Sequence, residues 1–265
     1  MLRAPAARAL YHVQRANAAI DAGDAAAARS EAEALLVLWP DSFREVYVAG
    51  SALLELDPAR ALPLLARAAE LAPEHPGTLS NLGTVRVLLG DAEGAEGGLR
   101  AALALDDTLP DVHNGLGLAL GDLGRPDEAR AAFQRALELR PLMVEAWSNL
   151  GNLEGREKNY AACAAALARA VELDPTAVDP RCGWAGALYW MDDLEAAEQQ
   201  YRAALELDPD PDLVCAWVGL AWTLLEKNEP DEALQTAERG LERFPDDAEL
   251  HKVETEIRRV LAEGR

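Results

Sequence analysis

The sequence predicts an all-α protein, a solenoid of about seven helix-turn-helix repeats closed by a C-terminal capping helix, on three observations. The stretch from Val144 to Pro175, VEAWSNLGNLEGREKNYAACAAALARAVELDP, carries landmarks that recur upstream and downstream: Trp147, Leu150, Gly151, Leu167, Ala170 and Pro175. The residue that closes each copy returns every 33 to 36 residues, at Pro40, Pro73, Asp107 in a proline's place, Pro141, Pro175, Pro209 and Pro245. A self-similar period near 34 residues marks paired helices that cannot bury their apolar faces alone and must stack. Finally, half of the 265 residues are hydrophobic but only 5% are aromatic, so the core is built from Ala and Leu, the residues of closely packed helices.

These landmarks place repeats at about 9–42, 42–75, 76–109, 110–143, 144–177, 178–211 and 214–247, in one array over 1–265. The first is atypical: Gly23 and Pro40 fix its second helix, but Arg15 stands where later copies have Leu, as expected of a terminal repeat with one face in solvent. In the others a small residue midway along the first helix (Ala49, Gly83, Gly117, Gly151, Ala185, Ala221) lets the second helix cross at short range. The second helix answers with Ala61, Ala95, Ala129, Cys163, Ala197 and Ala233, and again with Ala68, Ala102, Ala136, Ala170 and Ala204. The closing proline has no N–H and keeps its predecessor out of helical geometry, so the second helix ends there.

Turns agree with this division. Gly23-Asp24, Gly90-Asp91, Gly124-Arg125-Pro126-Asp127 and Glu229-Pro230-Asp231 separate helical runs, with Gly stopping one helix and Asp capping the next. Paired acids at Asp106-Asp107, Asp192-Asp193 and Asp246-Asp247 are read as N-caps. Asp210-Pro211-Asp212 should lengthen the loop before the seventh repeat. Gly94, Gly97 and Gly98 make the second helix of the third repeat the softest point, at roughly 0.5–1 kcal/mol each relative to Ala. Residues 248–265 form the capping helix, with Leu250, Val253, Ile257, Val260 and Leu261 on one stripe.

The net charge of −21 argues against nucleic acid, whose phosphates need clustered Lys and Arg, and favours basic or neutral partners. No apolar run is long enough for a membrane span or a signal peptide. The Arg-bearing, acid-free N-terminus reads as a first amphipathic helix rather than a transit segment. Three irregularly spaced Cys make neither a disulfide framework nor a metal motif, so a reducing, cytoplasmic compartment is expected. GxSxG, GxxxxGK[ST], GxGxxG and HExxH are all absent, and His12, His75, His113 and His251 share no metal-ligand spacing. No catalysis, cofactor or metal is expected. Cys163 is a small core residue, and Cys182 and Cys215, on first helices of adjacent repeats at similar but unequal positions, are expected to be two unrelated thiols, with a redox pair as the alternative.

The landmark residues resemble the tetratricopeptide repeat family, through Trp147, Leu150, Gly151, Leu167, Ala170 and Pro175 of one copy and their counterparts in the others. The resemblance implies a right-handed superhelix whose first helices line a concave groove that holds a segment of a partner protein. Carried over position by position, the groove residues are Asn81, Asp111, Asn114, Glu145, Asn149, Asn152, Tyr189, Trp190 and Trp222. Side-chain amides there could donate to and accept from a peptide backbone. The carboxylate clamp used by some family members needs Lys or Arg where Asp111, Glu145 and Asp179 stand, and Arg86, Arg156 and Arg181 form no repeating set. A non-catalytic scaffold is therefore expected, binding a peptide or helix with basic residues near its middle and an apolar anchor toward the C-terminal end. The alternatives are self-association, with the N-terminal helix docking on a neighbour, and an accessory subunit that recruits an enzyme.

Overall fold

A computed structural model of the chain describes residues 11–16, 18–19, 22, 24–38, 42–54, 56–207 and 213–263. Pro40, Pro209 and the Asp210-Pro211-Asp212 insertion lie outside the described residues, as do residues 1–10 and Gly23. Every regular element among the described residues is a helix, and the helices fall into two compact units, Met1–Pro141 and Leu142–Arg265.

In the first unit the helices are α1 (Ala25–Leu38), α2 (Phe43–Leu53), α3 (Pro58–Leu71), α4 (Pro76–Leu88), α5 (Ala92–Leu105), α6 (Pro110–Asp122) and α7 (Pro126–Leu139). In the second they are α8 (Val144–Arg156), α9 (Tyr160–Leu173), α10 (Val178–Trp190), α11 (Leu194–Leu207), α12 (Val214–Glu226), α13 (Pro230–Arg243) and α14 (Ala248–Glu263). Within each unit every helix packs on the next along the chain, and first helices also touch the first helix two elements on.

Small side chains set this packing. A Cβ added to Gly83 would meet Cγ of Leu99 at 2.5 Å, one on Gly117 would meet Phe133 at 2.5 Å, and one on Gly151 would meet Leu167 at 2.5 Å. These are the expected crossings, and the helices approach because nothing projects between them. The Ala positions of the second helices, from Ala61 to Ala237, have no exposed surface at Ala61, Ala68, Ala95, Ala102, Ala129, Ala136, Ala170, Ala197, Ala204 and Ala233. One large residue per second helix fills the remaining space: Leu65, Leu99, Phe133, Leu167 and Tyr201, all buried. Gly219 on α12 is tight against the preceding helix as well, since a Cβ there would strike the ring of Tyr201 on α11.

Helix ends follow local chemistry. Helices α3, α7, α9 and α13 stop two residues before Pro73, Pro141, Pro175 and Pro245, with one residue out of helical geometry between. Pro58, Pro76, Pro110, Pro126 and Pro230 open helices, where the missing N–H costs nothing. Asp24, Asp57, Asp91, Asp193 and Asp247 accept from the backbone N–H three residues on. Asp106 departs from the expected N-cap role: it follows α5 and accepts from both N–H and hydroxyl of Thr108, as Asp174 does with Thr176. These bonds to the ionised form hold both carboxyls below the ordinary range. Between first and second helices the chain passes through left-handed geometry at Gly90, Gly124, Lys158, Asp192 and Asn228. The residue stopping α12 is thus Asn228, rather than the expected Glu229-Pro230.

The glycine-rich α5 is a continuous helix. A Cβ added to Gly98 would lie 3.6 Å from O of Leu79 on α4, whereas nothing lies within 4 Å of a Cβ on Gly97. At the C-terminus α14 sets Leu250, Val253 and Ile257, all fully buried, against α12 and α13.

Candidate binding face on the first helices

Residues three, four and seven apart share one side of a helix. On α8 this stripe carries Glu145, Asn149, Asn152 and Arg156; on α10, Asp179, Gly183, Gly186 and Trp190; on α12, Cys215, Gly219, Trp222 and Glu226. α10 neighbours both α8 and α12, and Oδ1 of Asn152 lies 3.8 Å from the Cβ position of Gly183. The second unit therefore presents one surface made of three first helices.

Glu145, Asn152 and Asp179 are exposed on it and, among the described residues, make no side-chain hydrogen bond or ion pair. Trp190 is 64% exposed, and its ring stacks on Tyr160, the first residue of α9, with centroids 5.7 Å apart and planes 12° apart. Sequence reasoning missed Tyr160, which sits on a second helix and outside any first-helix pattern. Met191 beside it is also exposed. Tyr189 and Trp222 differ from Trp190: both are half-buried and pack on the core of this unit rather than lying open. Burial, with the Glu226 carboxylate nearby, raises the Tyr189 phenol. Asn149 is half-buried and bonded within the protein.

The first unit uses the corresponding residues differently. Asn81 donates to Oγ of Ser51 at 2.8 Å and approaches the Tyr47 hydroxyl at 3.5 Å, tying α4 to α2. Asp111 accepts two bonds from Arg140, at 2.9 and 2.7 Å. Asn114 is half-buried and also has a partner. Phe43, Tyr47 and His75 form a ring cluster with centroids 4.9 to 5.7 Å apart, and His75 caps α4 through Thr78. Of the three nearby cations, Arg86 donates to O of Gly94, and Arg181 to Gln200 and O of Pro175.

One expectation fails. Cys182 and Cys215 are not unrelated: their Sγ atoms are 3.0 Å apart, joining α10 to α12. The signal lay in the repeat arithmetic, because Cys215 occupies the acidic position of Glu145 and Asp179, and Cys182 lies one turn beyond Asp179. Cys182 is buried and Cys215 exposed. The S–H of Cys182, donating to the ionised partner, brings the Cys215 thiol down to about 7; burial and Asp179 oppose this, and the N–H groups of Cys215 and Ala216 assist. The same donation, with burial, drives Cys182 far up. Burial and Glu154 raise Cys163, as fits a core residue.

A cavity of about 440 Å³ is lined by Arg202, Leu205 and Glu206 of α11, Trp217 and Leu220 of α12, and Thr236, Arg239, Glu242 and Arg243 of α13. No group of three metal-ligating side chains occurs among the described residues, and no described helix is long and apolar enough to cross a membrane.

Stacked helical hairpins with glycine and alanine crossings define a helical repeat protein. Family models for the tetratricopeptide repeat match residues 114–178 and 192–257, so the chain carries tetratricopeptide repeats. Similar solved structures include pilF of Pseudomonas aeruginosa (19% identity, TM-score 0.69, covering 81% of this chain and 97% of that one). YrrB, described as a TPR protein with an unusual peptide-binding site, gives 21% identity and a TM-score of 0.62 over 72% of this chain and 97% of its own. The Cut9-Hcn1 assembly of the APC/C gives 14% identity and a TM-score of 0.74, over 93% of this chain and 48% of that one. At these identities the likeness establishes the fold. No curated protein sequence matches the chain.

Proposed function

We propose that the chain is a non-catalytic scaffold that holds a segment of a partner protein on the first-helix face of its second unit. Tetratricopeptide repeats are protein-interaction modules, and the peptide-binding site of YrrB makes a peptide a natural ligand class. The observation that carries the placement is the unpaired Glu145, Asn152 and Asp179 beside the exposed, stacked Trp190. Unpaired carboxylates suit Lys or Arg, the Asn152 amide suits a peptide backbone, and an exposed indole held flat by a second ring suits an apolar anchor. The partner segment is then basic, with one aromatic or aliphatic side chain that lies against Trp190.

Selection of a random peptide library on the immobilised full chain tests this. Enrichment of Lys and Arg next to an apolar residue is expected, and Trp190→Ala should weaken the selected peptides at least ~10-fold with helicity retained. Undiminished affinity in that variant would refute the site.

A further inference from the structure

We propose that Cys182 and Cys215 form a thiol–disulfide exchange site, in which Cys215 takes a low-molecular-weight disulfide and Cys182 resolves it into an intramolecular cross-link between α10 and α12. The two Sγ atoms already stand 3.0 Å apart, across 33 residues of sequence. Their environments divide the roles. Cys215 is exposed and lies in the first turn of α12, where free backbone N–H groups and the helix dipole favour a thiolate. Cys182 is 6% exposed, mid-helix and shielded from any reagent, so it reacts only with what Cys215 brings to it. Asp179 on α10 and Tyr201 on α11 are the other titratable groups electrostatically coupled to this pair; Asp179 opposes the thiolate, and the S–H of Cys182 outweighs it. With Cys215 near neutral, a substantial thiolate fraction is present at physiological pH.

The chemistry balances. The Cys215 thiol gives its proton to water, and its thiolate attacks one sulfur of RSSR, forming a Cys215–SR bond and releasing RS⁻, which takes up a proton as RSH. Cys182 then loses its proton and attacks Sγ of Cys215, expelling the second RS⁻, which is protonated in turn. Two thiols are oxidised by two electrons, and one external disulfide is reduced to two thiols. The product clamps neighbouring first helices together, and an excess of monothiol reverses it. Cys215 lies on the first-helix face, and the exchange goes beyond peptide binding there without depending on it.

Oxidised glutathione is the probe. The native full chain is incubated with it at pH 8, quenched with acid, alkylated and mapped by mass spectrometry. The expected result is a peptide pair linked through Cys182 and Cys215, an intact mass lower by two hydrogens, and reversal by dithiothreitol. Cys182→Ser should stop at the mixed disulfide and retain glutathione on Cys215; Cys163→Ser should still form the link. Before oxidation, iodoacetamide should label Cys215 at least ~10-fold faster than Cys163. A wild-type chain that keeps glutathione on Cys215 without forming the linked peptide overturns the proposal, as does one in which Cys215 stays unmodified. The wild-type peptide map decides alone, so a serine variant that failed to fold would not change the outcome.

Discussion

The two units are built to one plan and use it to different ends. At one repeat position the first unit closes Asp111 on Arg140, while the second leaves Glu145 and Asp179 unpaired; the first unit also ties Asn81 to Ser51, whereas Asn152, one turn beyond Asn81's counterpart Asn149, is open and Trp190 stands out in solvent. A residue that a repeat pattern marks as lining a groove is thus a structural tie in one copy and an open contact in another. What decides is the neighbour: Ser51 and Arg140 supply partners in the first unit, whereas in the second Gly183 offers Asn152 nothing to bond. Tryptophan is distributed unequally too, since five of the six, Trp147, Trp184, Trp190, Trp217 and Trp222, belong to the second unit and Trp39 to the first.

The sharpest test of this contrast sets core against face. Phe133 is 1% exposed and fills the space that Gly117 leaves, so Phe133→Ala should cost about 3–5 kcal/mol in denaturant unfolding. Trp190→Ala, at a ring 64% exposed, should move the same midpoint by less than about 0.5 kcal/mol while removing affinity for the selected peptides. If Trp190→Ala destabilised as much as a core change, the indole would be structural and the contrast would fail. One step smaller, Asn81→Ala should lose about 1 kcal/mol through the broken tie to Ser51, and Asn152→Ala almost nothing. The two amides separate only if one is bonded and the other open.

The helical plan is legible in the sequence because it rests on what a position cannot hold: Gly83, Gly117 and Gly151 have no room for a Cβ, and that exclusion recurs at the repeat period. The candidate site is legible only in part. Knowing that Asp111 is tied down requires knowing that Arg140, at the C-cap of α7, reaches it. Cys182 and Cys215 read as unrelated because their repeat positions differ by one turn, yet that offset is where these two first helices bring their side chains together. Trp190 can be picked out from the first-helix pattern, but its platform, Tyr160, lies on the other helix of a hairpin. Side-chain reach between helices is fixed by packing, and no single helix carries it in its own periodicity.

The units also differ in how they respond to alkali. Phe133 and Tyr201 occupy the same repeat position, one apolar and one a phenol. Burial, reinforced by the nearby thiols and Tyr189, raises the Tyr201 phenol well above its ordinary value of about 10. A folded-state value above the unfolded one favours the protonated form. Its stabilisation is therefore complete below about pH 10 and is lost as pH climbs from there toward the folded value. Stability measured between pH 9 and about 11.5 should fall more steeply in the wild type than in Tyr201→Phe, and hydrogen exchange should accelerate first in α11 and α12. Equal slopes in the two proteins would show that the phenol is hydrated in the folded state.

The smallest effect concerns the turns. Gly90 and Gly124 of the first unit adopt left-handed geometry at no steric cost, but the second unit places Lys158 at φ 61° and Asp192 at φ 66° in the equivalent turns. A side chain with a Cβ costs roughly 1 kcal/mol there. Lys158→Gly should accordingly stabilise the second unit, by less than about 1 kcal/mol once the greater freedom of glycine in the unfolded chain is offset. Gly97→Ala offers the counterpart in the first unit: with nothing within 4 Å of the new Cβ, it should gain about 0.5–1 kcal/mol. Glycine thus improves one unit and weakens the other, because one turn demands a left-handed backbone and one helix does not. Thermal midpoints of the two single variants, both higher than wild type, are the expected result, and a drop in either would mean that the turn or the helix is held by something other than its backbone.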